Sequence, residues 1–129
     1  MSQENVELVQ SWFKRWNAGD RDFSTAELHP DFQIFSRLQA EPFEGRGGLH
    51  RWMQEVDEQF GEWQLVADEW RDVGDSVVVL GRVRVRGKES GVVVDQAHGW
   101  LVEFQDGMAF RFRHFARPYE ALEAAGLSE

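Results

Sequence analysis

In this cysteine-free chain the side chains whose ordinary pKa falls nearest neutrality are four histidines, at positions 29, 50, 98 and 114. Without cysteine there is no thiol nucleophile, thiolate zinc site or disulfide scaffold. His98 and His114 lie in two stretches with strand periodicity, Val92 to Phe104 and Met108 to Arg117. Strand alternation places Val94, Gln96, Trp100, Val102 and Phe104 on the face of His98. A three-residue Gln105-Asp106-Gly107 loop pairs Phe104 with Met108 and brings Phe110, Phe112 and His114 to that face; a two-residue loop inverts the second strand. The first register gives two imidazoles among aromatic walls, a setting for general acid-base chemistry. The second leaves them as partly exposed or hydrogen-bonded strand residues. Asp95 has the wrong parity to orient His98 across the same face.

The other candidates are simpler. His29 before Pro30, and His50 early in a helix, read as helix-end residues. Asp31, Asp95, His98 and His114 could ligate a metal, but no pair has the helical or alternating spacing that makes imidazoles adjacent. The expectation is no metal and no cofactor. Glycines 45, 47 and 48 before a helix could cradle an anion, although the segment lacks the Lys-Ser/Thr of a phosphate loop, and a tight helix start explains them as well. Arg82, Arg84 and Arg86 alternate with valines. They belong to a solvated or interface face, or, across a symmetrical five-residue loop, to the His98 face. Trp12, Trp16, Trp52 and Trp100 serve as core or as ligand cage.

Hydrophobic spacing places these residues on elements. Val6, Val9, Trp12, Phe13 and Trp16 predict a helix from Ser2, its N-cap, to Trp16, stopped by Gly19. Ser24 with Glu27 fits a capping box for a short second helix ended by His29-Pro30. Phe32, Ile34 and Phe35 suggest a first strand. Leu49, Trp52, Met53, Val56 and Phe60 form the clearest helical stripe, closed by Gly61. The period then changes to two: Trp63 to Arg71, Ser76 to Arg86, and the two histidine-bearing strands. Pro118 opens a last helix and Gly126 closes it. The predicted class is α+β, in the order α-α-β-α-β-β-β-β-α.

Composition narrows the function classes. The 129 residues carry 14 Lys plus Arg against 23 Asp plus Glu, a net charge of −9. That balance speaks against nucleic acid or an anionic membrane as partner. Residues 1–75 hold 16 acids and 7 bases, the remainder 7 of each, so the excess reads as solvated helix faces. No apolar run approaches the roughly 20 residues of a membrane span, and Glu4, Glu7, Lys14 and Arg15 interrupt any signal peptide. A single domain over residues 1–129, cytoplasmic in location, is expected.

The element order, with Asn17-Ala18-Gly19-Asp20 after the first helix, Asp31-Phe32 at the first strand and Phe104-Gln105-Asp106-Gly107 between the last strands, resembles the nuclear-transport-factor-2-like superfamily. Gly45-Arg46, Gly74-Asp75 and Glu120-Ala121-Leu122 resemble its SnoaL-like, polyketide-cyclase-like branch. The resemblance implies a cone-shaped curved antiparallel sheet with helices on its concave face around an apolar pocket. It leaves the reaction open. Steroid-isomerase relatives use a Tyr, an Asp base and a buried acid, whose positions fall here on Trp12, Ser36 and Trp100. None carries the required group, which disfavours that chemistry.

The resulting expectation is a binder of a small apolar or aromatic molecule, as an enzyme a cofactor-independent cyclase, isomerase or dehydratase. His98 and His114 are the acid-base candidates. Trp12, Trp16, Ser36, Trp52, Gln96, Trp100, Phe110 and Phe112 are the ligand-binding candidates. The alternative is a non-catalytic association module using the outer sheet face. A homodimer through that face is also expected, because Val77/Val79 and Val78/Leu80 make both faces of one strand apolar.

Overall fold

The structure, a computed structural model, describes residues 2–23, 26–37 and 39–127, without the side chain of Ser2. The expected Ser2 cap and the Ser24 end of the capping box lie outside the described residues. Helix α1 (Ser2–Asn17) buries Val6, Val9, Trp12, Phe13 and Trp16, the stripe read from its spacing. It stops at Gly19, whose φ of +85° lets Gly19 N–H reach Trp16 O and Asp20 N–H reach Arg15 O.

Strands β1 (Leu28–Phe35) and β2 (Phe43–Glu44) follow, then α2 (Arg46–Gln59), β3 (Phe60–Asp72), β4 (Ser76–Gly87), β5 (Val93–Gln105), β6 (Met108–Phe115) and α3 (Pro118–Ala124). The order is therefore α-β-β-α-β-β-β-β-α, and the expected second helix gives way to a turn at Ala26 and Glu27 leading into β1. His29-Pro30 does not end a helix. It sits inside β1, between the pairs Leu28↔Ala109 and Gln33↔Arg111, where the ladder is irregular and the N–H that proline lacks has no ladder role.

The expectation of a curved, cone-shaped sheet with all helices on its concave face is also corrected. The six strands form one open sheet in the order β2-β1-β6-β5-β4-β3, mostly antiparallel, with β1 and β6 parallel. Among the described residues no ladder joins β2 to β3 to close it. Helices α1 and α2 cover one face, where their apolar stripes meet Leu65, Val77, Val79, Val83, Trp100, Val102 and Phe112. Helix α3 lies on the opposite face: Ala121 and Leu122 pack on Val78 and Leu101, with Leu80 and Phe115 alongside. The approach is close, since a Cβ on Gly99 would stand 2.9 Å from Ala121 Cβ and 3.1 Å from Pro118 Cα. The Val78/Leu80 surface expected to need a second copy is thus covered by the chain's own C-terminal helix. No described helix is long and apolar enough to cross a membrane.

Candidate active site

The β5–β6 hairpin decides where His114 points. Its loop has two residues, Asp106 and Gly107, with φ of 55° and 75°, pairing Gln105 with Met108 and Phe104 with Ala109. The three-residue loop is therefore wrong. Taken alone, the shorter loop would turn His114 outward. A bulge at Phe110 restores the parity, because Glu103 pairs with Arg111, Val102 with Phe112 and Trp100 with His114. The same bulge carries Phe110 away to the ring of His29, 5.1 Å off.

The β4–β5 hairpin settles the arginine ladder. Arg86 pairs with Val93, Arg84 with Asp95, Val83 with Gln96 and Gly81 with His98. Val83, Gln96 and His98 thus share the inner face, while Arg82 meets Asp95 at 3.0 Å on the outer one. Asp95 orients an arginine, not an imidazole. At the start of α2, Gly45 takes φ +81° and Gly48 lies against the Phe43 backbone, where a Cβ would come within 3.0 Å. These glycines form a tight helix start.

The candidate residues other than Phe110 divide between two cavities. Trp12, Trp16, Trp52, Trp100 and Phe112, all buried, line an apolar void of about 30 Å³, room for a single water. There the rings pack on one another: Trp16 stacks on Trp52 at 5.1 Å and Phe13 meets Trp100 edge-on at 5.0 Å. Trp16 Nε1–H donates to Trp63 O and Trp52 Nε1–H to Ser36 Oγ. The second cavity, of about 260 Å³, opens to solvent beside it. Ser36 and Arg37 after β1, Phe60 and Trp63 of β3, Val83 and Val85 of β4, and Val94, Gln96 and His98 of β5 line it. His114 lines both cavities.

The two imidazoles stand 5.7 Å apart, centroid to centroid. His98 is 2% exposed, and among the described residues neither of its ring nitrogens has a hydrogen-bond partner. Burial, then the neighbouring His114 and Arg37, hold its pKa down at about 3. His114 Nδ1 lies 3.0 Å from Phe35 O. A carbonyl only accepts, so Nδ1 carries the proton and Nε2 the lone pair. Burial pushes the His114 pKa down to about 4, against the opposing pull of the Phe35 hydrogen bond and with the help of Arg37. At neutral pH both rings are uncharged. Trp63 Nε1 is a further buried donor without a partner.

Trp63 and Arg37 were not among the sequence candidates. The alternation that buries Leu65 signals the inward face of Trp63. Nothing periodic signals Arg37, which follows the end of β1. Among the described residues, no group of three His, Asp or Glu side chains is placed to hold a metal. EDTA is expected to leave the melting temperature unchanged; a fall of several degrees in a thermal scan would contradict that.

The chain belongs to the SnoaL-like domain family, whose model matches residues 9–112. Its α+β fold is that of solved NTF2-like structures. Its fold is similar to an NTF2-like protein of unknown function from Burkholderia pseudomallei (TM-score 0.77, 21% identity, covering 92% of this chain and 95% of that one). It is also similar to a hypothetical protein with a ketosteroid isomerase-like fold from Catenulispora acidiphila, solved in complex with trimethylamine (0.76, 14%, 94% and 93%). A third similar structure is TerC co-crystallized with polyporic acid (0.75, 20%, 95% and 98%). None of the curated proteins compared with the chain matches it.

Proposed function

We propose that this protein binds a small, largely apolar molecule in the open pocket and moves a proton on it without a cofactor. The reaction would be that of a cyclase, isomerase or dehydratase. The observation that carries this reading is His98, deeply buried with both ring nitrogens unpartnered, next to a His114 whose tautomer leaves Nε2 basic. A buried polar group without a partner costs stability, and a bound ligand would repay it.

In this mechanism His114 Nε2 takes a proton from carbon next to a carbonyl. The C–H electron pair moves into the carbonyl and forms an enolate. Its oxygen accepts hydrogen bonds from His98 N–H and Trp63 Nε1–H, buried donors held by the packing around them. The imidazolium then returns the proton to another carbon, to a departing hydroxyl, or to the alkoxide left after the enolate attacks a second carbonyl. Ser36 and Gln96 offer hydrogen bonds nearer the mouth. Trp12, Trp16, Trp52, Trp100 and Phe112 form the packed floor that holds the histidine strands in place. The three outcomes share the first step.

That step can be measured alone. β-Tetralone in D2O should exchange its α-protons faster with the protein than in buffer. His114→Gln, which can keep the bond to Phe35 O, should lower that rate by about 10²-fold while calorimetric binding persists. Binding without any exchange would instead favour the non-catalytic module. Exchange unaffected by His114→Gln would sink the assigned base.

A further inference from the structure

Charge around the pocket runs opposite to charge on the rest of the chain. The protein carries 23 acids against 14 Lys plus Arg, yet no carboxylate lines the pocket, and Arg37 is its one charged residue among those described. Arg15, Arg21, Arg71, Arg82, Arg86, Arg111 and Arg113 all form ion pairs with Asp or Glu. Among the described residues Arg37, Arg46, Arg51, Arg84 and Arg117 form none, and of these five Arg37 alone lines the pocket. An exposed guanidinium without a counter-charge, at the mouth of an otherwise apolar pocket, is a fork for a carboxylate or an acidic enol.

The walls define the rest of the ligand. Phe60 and Trp63 meet edge-on at 4.9 Å and, with Val83 and Val85, form an apolar aromatic wall. A volume of about 260 Å³ is some nine waters at about 30 Å³ each, which suits a one-ring ligand with a short arm. His98 and Trp63, whose ring nitrogens are buried and without partners among the described residues, also line the pocket.

We infer that the ligand is a small aromatic or vinylogous organic anion, its charged oxygen on Arg37 and its planar body running inward along Phe60 and Trp63. The inference rests on the open pocket being the ligand site. An acidic oxygen at Arg37 selects charged ligands over neutral ones of the same shape. A carbonyl or hydroxyl at the inner end supplies the partner His98 lacks.

Cinnamate and its neutral isostere cinnamamide test this by calorimetry near neutral pH. Wild type should bind cinnamate at least tenfold more tightly, a preference that weakens with added salt. Arg37→Gln should abolish the preference and Arg37→Lys should keep part of it. Arg84→Gln, on the outer face, should leave it intact. Val94→Trp, at the mouth, should block both probes. Equal binding of the two, unaltered by Arg37→Gln, overturns the anion inference and leaves the pocket reading standing. Binding that survives Val94→Trp places the probes elsewhere and overturns both. If neither probe binds, the anion inference falls, and β-tetralone exchange decides the pocket reading independently.

Discussion

Acidification from about pH 7 to about pH 5 destabilises the folded domain by about 4 kcal/mol, and replacing His98 and His114 together by Gln removes most of that loss. Each imidazole has an ordinary pKa of 6.5, lowered on folding to about 3 for His98 and about 4 for His114. Between these values the unfolded chain takes up protons that the folded one refuses. Stability is therefore complete above 6.5 and falls as pH drops, by about 1.4 kcal/mol per pH unit for each ring. The loss levels off near 4 for His114 and near 3 for His98.

Arg37 contributes in the same direction, by repelling the protonated rings. Asp20 also loses stabilisation in acid, because the Asp22 N–H and Arg15 hold its pKa down, but only below its ordinary 3.8. The loss assigned to His98 and His114 falls above that range, between about 4 and 6.5. Urea denaturation at closely spaced pH values measures the slope. An equally steep slope in His98→Gln/His114→Gln would refute the origin assigned here.

Gly81→Ala is expected to cost about 3 kcal/mol or more, the upper end for forced overpacking. A Cβ at this position would stand 1.9 Å from Val66 O and 2.9 Å from Val66 C, backbone atoms of the neighbouring strand. Rotamer changes cannot relieve a clash with backbone. The crowding comes from the bulge at Asp68, where β3 shifts register between Ala67↔Gly81 and Glu69↔Leu80. That shift turns Trp70 as well as Trp63 and Leu65 toward the core, and Gly81 is the cross-strand partner of His98. The variant should therefore lose structure at the pocket even where some fold survives, visible as displaced His98 ring signals by NMR. Gly47→Ala is the control. Its Cβ would meet only the end of the Arg51 side chain, at 3.3 Å, within a helix, and stability should move by less than about 1 kcal/mol. Equal effects from the two substitutions would defeat the explanation.

Periodicity alone determined the two long helices, the four strands from β3 onward and the shared inner face of His98, Trp100 and Val102, because a repeat of 3.6 or 2 marks which side of an element must leave water. The SnoaL-like resemblance was legible in short motifs such as Gly45-Arg46 and Gly74-Asp75, since turns demand particular residues at particular φ. Tertiary structure alone decided the rest. A bulge at Phe110 corrected a wrongly read loop, and the register shift of β3 at Asp68, with the close Gly81/Val66 approach that follows from it, has no signal in the spacing. Pro30 is tolerated in β1 because the parallel pairing with β6, some eighty residues away, is irregular there. The aromatic set split into a filled core and a separate open pocket because ring packing depends on how elements approach, not on which face they offer. Arg37 reached the pocket mouth for the same reason. Alternation along one strand encodes a side, whereas the distance and register between strands remote in sequence arise only when the whole core closes.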